Sequence, residues 1–276
     1  MTTTKNGLFL ATGSRLWRCL AVLAFFLFWQ IASLAISNPK ALPGIDYVLL
    51  HSLPSIAIFS GGDHEDLWTA LSVIGVNSAY TLFRIAIGLL FGITIGLLVG
   101  TGIHIFHYTR KANEGLLTVI RAVPLLALIP LFLFWFGGRE VGIYVYIIFA
   151  VSVIVATNTY EAIGNLPPNY TYLARLMGAN RRLLFASVYM PAIQPEMAGS
   201  FRNVLGLAWA FSLGAEYLSA TSGLGHLVYQ SYLYCDMGKL IVFVWIYGIY
   251  GMAGFYLSQR LLNKLRHWNS ESASGG

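Results

Sequence analysis

The charged residues inside long apolar runs of this chain include Arg84, Arg121 and Glu216. A charge in hydrocarbon is costly, so such a residue pairs, reaches for the interface, or serves an ion pathway or gate. Arg84 and Arg121 lie toward opposite ends of their runs, where both can snorkel, and the functional alternative is a route for an anion. Glu216 is the one carboxylate inside a span, about one turn from its end, where water or Arg84 could compensate it; it reads equally as a structural partner or as part of a gate. Other chemistry is thin. Asp63, His64, Glu65 and Asp66 are adjacent in sequence and cannot easily surround a metal ion. They read instead as a helix start, with Asp63 as the cap and Glu65 and Asp66 in the first turn, favoured there by the helix dipole. His51, His64, His104, His107, His226 and His267 are all placed in or near loops, and no metalloprotease or serine-hydrolase motif accompanies them. Cys19 and Cys235 fall at opposite faces, so neither a disulfide nor a metal site is expected.

The elements that carry these residues are membrane helices. The 276 residues are 57% hydrophobic and only 10% charged, with mean hydropathy +0.67, whereas a soluble domain has about 25% charged residues. Six segments are long enough to span the bilayer, near 17–36, 79–103, 117–137, 141–160, 197–219 and 240–259. The first is read as a retained helix, because no small-residue cleavage site follows it. Lys and Arg set the orientation. With the N-terminus cytoplasmic, the inside carries Lys5, Arg15, Arg18, Arg110, Lys111, Arg175, Arg181, Arg182, Arg260, Lys264 and Arg266. The outside then has only Lys40, Arg139 and Lys239. Both termini are therefore expected in the cytoplasm, and the net charge of +6 reads as topology, with no nucleic-acid partner. The chain divides into 1–78 (tail, first helix and an external amphipathic segment), a core of 79–268 with a cytoplasmic loop at about 165–195, and a tail of 269–276.

Two helices carry special residues. Gly88, Gly92, Gly96 and Gly100 recur at every fourth position and share one face, where another backbone can approach closely. Packing within the subunit is the simpler reading; a subunit interface or a pore-lining face is the other. The third span holds Pro124 and Pro130 and is expected to kink.

The basic loop is the most distinctive stretch. Tyr170–Met177 reads as a short helix stopped by Gly178, and Asn180 as the N-cap of a second, running from Arg181 to about Tyr189 and ending before Pro191. Ala174, Gly178 and Ala179 are small enough to let another protein approach, and Arg175, Arg181 and Arg182 surround that contact with positive charge.

This loop resembles that of ABC importer permeases, whose pattern is E-A-A, three residues, G, nine residues, I-x-L-P. Ala174, Gly178 and Pro191 keep the spacing; Tyr172 stands where the family has Glu, Leu173 where it has Ala, and Met190 where it has Leu. An ion pair made by the family's Glu is not open to Tyr172. From Leu53 to about Trp268, through RAVPLLALIPLFLFWFG, the Glu216 region and the SGLG turn, the chain is similar to permeases of the nitrate, sulfonate, taurine and bicarbonate group. The resemblance implies an all-α integral membrane protein with six transmembrane helices, a type I (MetI-like) importer permease of the bacterial inner membrane, embedded in lipid. It implies two copies forming the pore, ATPase subunits docked inside on Tyr172, Ala174, Arg175, Gly178, Ala179, Asn180, Arg181 and Pro191, and a solute-binding protein outside. The chain has no glycine-rich loop to cradle phosphates, so it is not expected to be an enzyme or to bind a cofactor; ATP and Mg belong to the ATPase. The rival reading is a secondary transporter using Glu216 with Arg84 or Arg121 as an ion relay; no internal repeat supports it.

Overall fold

The computed structural model describes residues 5–61, 65–105, 115, 119–120, 122–138 and 140–266, and their side chains except those of 5–16, 18–19, 105 and 261–266. Among the described residues the regular elements are all helices, with no strands. In order they form α1 (Lys5–Ile36), α2 (Ile45–Ser60), α3 (Leu67–Ile105), α4 (Leu125–Phe136), α5 (Glu140–Gly164), α6 (Pro168–Leu176), α7 (Met190–Ser219), α8 (Leu224–Leu233) and α9 (Met237–Arg266). Among the described residues, α3, α5 and α9 are long and apolar enough to cross a membrane by length and composition, and Leu20–Ile36, Ile45–Ser60 and Leu125–Phe136 are shorter apolar stretches. Of the six expected spans, the fifth departs most: α7 is 30 residues long but carries Gln194, Glu196, Arg202, Asn203 and Glu216, which dilute its hydropathy.

Proline and aspartate account for the other departures. The segment expected as one kinked helix at 117–137 is interrupted: Pro124 is extended (φ −68°, ψ 107°), a tight turn follows at Leu125–Leu128, and the α-helix resumes at Ile129–Phe136. Proline pushes the residue before it out of the helical region and offers no N–H of its own. Conversely, no break occurs at Pro191 or after Pro195. The chain passes from Arg181–Leu183 through a wide π-helical turn, Leu184–Tyr189, directly into α7, which contains both prolines. The wider turn and membrane packing accommodate rings that would end a regular helix. Asp63 and His64 lie outside the described residues; α3 starts at Leu67, and Asp66 is its cap, its carboxylate accepting the Thr69 N–H and hydroxyl at 2.9 Å each. That bonding holds the Asp66 carboxyl below the ordinary aspartate value.

Contacts divide the chain into two units. The first comprises 1–74 and 230–245. In it, the Gln30 amide donates to Asp46 at 2.9 Å and accepts the Ile45 N–H at 2.9 Å, while Trp29 donates to the Pro43 carbonyl at 3.0 Å. The Gln30 bond is the main cause that lowers the Asp46 carboxyl from its usual range. Trp245 meets Trp29 and Phe26 edge-on, and Lys239 pairs with Asp236 at 3.3 Å beneath the Phe59 ring.

The second unit, 75–229 with 246–276, holds the larger core: Ile143, Tyr146, Ile147, Val151 and Val155 of α5 pack with Ile193, Met197, Val204, Ala208 and Phe211 of α7. The glycine ladder of α3 lies along α5. A methyl added at Gly88 would overlap Ile147; at Gly92 it would lie 2.7 Å from Val151 Cβ, and at Gly96 2.6 Å from Val155 Cβ; at Gly100 it would overlap the Ala156 carbonyl. Each fourth residue of α3 must therefore be glycine for these helices to approach so closely.

Candidate functional site

The loop between α5 and α7 is built to hold one shape. Helix α6 is capped at its end by Gly178 at φ +80°, with the Ala179 N–H donating to the Ala174 carbonyl and the Gly178 N–H to that of Arg175, each at 3.0 Å. This is the six-to-one and five-to-two bonding of a Schellman cap, which needs a left-handed residue between its partners. Two residues on, Asn180 is extended, and its Oδ1 accepts the Leu183 N–H at 2.9 Å, starting the next helix. The polypeptide thus reverses over four residues with its helix ends satisfied. Ala174 and Ala179 do not form the outward face: both pack against the chain's own core. Their small size lets the loop lie close to its own bundle. The exposed face is Tyr172, Leu173, Leu176 and Met177, the last 89% exposed, with Arg175, Arg181 and Arg182 at its margin. Exposed apolar patches rimmed by polar groups commonly mark interaction surfaces.

At the far ends of α5 and α7 lies the second feature. Arg84 of α3 is completely buried, with every guanidinium N–H used. Nε donates to Glu140 at 2.9 Å, and one terminal nitrogen donates to Glu216 at 2.9 Å and the Ser222 carbonyl at 2.8 Å. The other donates to the Ser222 hydroxyl at 2.8 Å and forms an ion pair with Glu140. Glu216, equally buried, is saturated in turn. Its two oxygens accept from Arg84, from the Ser212 hydroxyl at 3.1 Å, from the Thr81 hydroxyl at 2.9 Å and from the Gly225 N–H at 2.9 Å. Thr81 also accepts the Leu224 N–H at 2.9 Å, and Asn77 accepts that of Gly223 at 2.7 Å. The turn after α7 is thereby sewn to α3. Its glycines are required: a methyl at Gly223 (φ +100°) would overlap Arg84, and one at Gly225 would stand 2.5 Å from Glu216 Cβ.

Residues 92–267 match the family of binding-protein-dependent transport system inner membrane components. The chain belongs to this family. The permease is 28% identical over 243 residues to the nitrate import permease protein NrtB of Synechococcus elongatus, with 85% of this chain and 83% of that protein covered. It is also 28% identical to the taurine transport system permease protein TauC of Escherichia coli, over 72% of this chain and 70% of that protein. Its fold is that of the permease chain in inward-facing structures of the MetNI methionine ABC transporter, with TM-score 0.63 and 17% identity, covering 70% of this chain and 96% of that one.

For this permease the sequence-predicted pathway residues separate. Arg84 does not snorkel to an interface, and Arg84 and Glu216 come together, as the compensation of Glu216 requires; Arg121 lies outside the described residues. The site residue absent from the sequence expectations is Glu140, which falls between the spans expected at 117–137 and 141–160. Its side chain is 47% exposed at the edge of the cluster, and no local signal ties it to Arg84 across 56 positions. With Arg84 and Glu216 both saturated, neither is free to receive a passing ion. The cluster ties α3, α5, α7 and the α7–α8 turn together at one end, which is the geometry of a clamp.

Proposed function

We propose that two copies of this permease form the translocation pathway of an ATP-driven importer for a small anion of the nitrate, bicarbonate, sulfonate or taurine type. An extracytoplasmic binding protein delivers the anion, and ATPase subunits dock on the α6 loop at the cytoplasmic face of a bacterial inner membrane. ATP and Mg act on those subunits, none being held by this chain. Both termini lie in the cytoplasm on this reading, which the loop charges and an even number of spans support. The anion class is supported by the family, by the names of NrtB and TauC, and by an oxyanion group common to these solutes.

The observation that carries the coupling role is the loop's combination of rigidity and exposure. A displacement imposed on Tyr172, Leu173, Leu176 and Met177 is poorly absorbed by a helix–turn–helix whose turn is capped on both sides by Gly178 and Asn180, so it passes into α5 and α7 and shifts a two-state pore. The test is co-purification of the permease with its ATPase, comparing wild type with Leu173→Glu, Met177→Glu and Gly178→Glu. The first two place a carboxylate on the exposed face without touching the cap; the third strains the left-handed residue, whose surroundings are otherwise open. Each is expected to reach the membrane at wild-type levels and to lose ATPase association and uptake. Wild-type uptake by Leu173→Glu and Met177→Glu would remove the loop from the coupling path.

A further inference from the structure

The side of the bundle that carries the loop holds a cavity of about 410 Å³, between the last turns of α3 and the segment that leads into α7. Leu98, Thr101 and Gly102 share one face of α3 and line it together with Arg181, Arg182 and Phe185. The space over the glycine is empty, since a methyl added there would meet nothing within 4 Å. Thr101 is 2% exposed, and its hydroxyl finds no hydrogen-bond partner among the described residues. A buried hydroxyl left unbonded is costly, and it can donate as well as accept. Arg181 and Arg182, both exposed, add two guanidinium groups to an otherwise apolar wall. A cavity of this volume is the size of a small-molecule site. Its lining is divided, with cations and a hydroxyl for a head group and Leu98, Phe185 and the bare glycine for hydrocarbon. A free inorganic anion gains nothing from the apolar part. A docking protein meets the other helix of the loop, where Tyr172, Leu173, Leu176 and Met177 are exposed.

We infer that this cavity binds one anionic phospholipid of the cytoplasmic leaflet, its phosphate held by Arg181 and Arg182 and an acyl chain laid along Leu98, Gly102 and Phe185. Guanidinium forks suit phosphate oxygens, and basic pockets between membrane helices at the cytoplasmic face take acidic head groups. The lipid's ester oxygens supply the acceptor that Thr101 lacks. A lipid seated there fills the gap between α3 and the loop, and so stabilises the loop on its bundle. This rests on the reading that sets the loop at the cytoplasmic face, and adds a ligand to it.

The experiment is native mass spectrometry of the full-length permease purified in detergent, titrated with phosphatidylglycerol, with phosphatidylcholine of the same chains, and with inorganic phosphate. One phosphatidylglycerol per chain is expected to be held about tenfold more tightly than phosphatidylcholine, the worth of one charge-assisted contact, with inorganic phosphate not retained. Arg182→Gln is expected to lose that preference, while Arg260→Gln of α9, which does not line the cavity, keeps it. Gly102→Phe, which fills the cavity, is expected to weaken both lipids about tenfold. Thermal midpoints are recorded for every variant, so that only folded protein is compared. Equal retention of the two lipids, an equal loss in Arg260→Gln, or wild-type binding by Gly102→Phe would overturn the inference. So would phosphate held as tightly as the lipid, which marks a free-anion site, or an oligomeric state altered by Gly102→Phe with lipid binding intact, which marks a subunit contact. No ATPase is present, so the result stands apart from the coupling test: a permease that binds the lipid but not its ATPase keeps the site and loses the coupling reading.

Discussion

Glu216→Gln separates a clamp from a relay. In wild type the carboxylate meets four donors: the Arg84 guanidinium, the Ser212 and Thr81 hydroxyls and the Gly225 N–H. Glutamine has nearly the same shape but offers one acceptor oxygen and turns an NH2 toward the remaining donors. If its oxygen faces Arg84 and Ser212, its amide hydrogens confront Thr81 and Gly225; flipped, they confront Arg84. Either way a buried cation loses a full charge partner and buried donors are left opposed. Breaking one side of a buried ion pair costs about 3–5 kcal/mol. At about 2–4 °C per kcal/mol for a chain of roughly this size, the thermal midpoint should fall by about 10 °C. The assay is thermal unfolding of detergent-purified permease, followed by loss of the monodisperse species, with ATP-dependent uptake measured at a temperature where the variant remains folded. The expected result is a large loss of stability with transport retained by the folded fraction. A variant as stable as wild type but inactive in uptake would refute the clamp and restore Glu216 as a group acting on the transported ion.

Two further outcomes follow from local geometry. Gly96→Ala puts a methyl 2.6 Å from Val155 Cβ and 2.8 Å from the Ser152 carbonyl, and should destabilise the permease by about 1–3 kcal/mol, whereas Gly102→Ala, with open space around it, should be neutral or slightly stabilising in the same unfolding assay. The Asp66 cap makes the start of α3 acid-sensitive. Because its carboxyl titrates below the ordinary value of 3.8 when folded, its contribution is complete above that value and is lost as pH falls through the lower, folded one. Hydrogen exchange at Thr69 and Ala70 should therefore accelerate only under that acid, and Asp66→Ala should remove the dependence.

Apolar composition, loop charge and the loop's spacing of Gly178 and Asn180 are local signals, and they describe the loop's architecture correctly: left-handed Gly178 and Asn180 capping Leu183 are where their chemistry requires them. The direction of the loop's side chains was not legible. Ala174 and Leu173 are neighbours in sequence, yet one turns to the core and the other outward, and only the packing of α6 on the bundle decides which. Prolines misled for a similar reason. Pro124 breaks its segment and Pro191 does not, because a wide π-helical turn precedes Pro191 and relieves it, a compensation that composition does not announce. The charge cluster was half legible: Arg84 and Glu216 stand out because each is rare within an apolar run. Glu140 sits after Gly137 and Gly138 at a helix start, where a carboxylate is ordinary, so its bond to Arg84 could be found only in three dimensions.

The positions of loop and clamp bear on how a push could travel. Helix α5 begins at Glu140, held by Arg84, and runs 25 residues, roughly 37 Å at 1.5 Å per residue, before the chain enters the loop. Helix α7 leaves the loop and returns to the same arginine through Glu216. Both helices flanking the loop are thus tied together at their distant ends, and between these ends α3 lies against α5 along the glycine ladder. Had the far ends been free, motion of the loop could splay α5 from α7 and dissipate locally. With the ends clamped and the middle closely packed, the lower-energy response is movement of α3, α5 and α7 as one body. On this reading the saturated Arg84 contributes to transport through its partners: by holding Glu140 and Glu216 it makes the three helices a single lever.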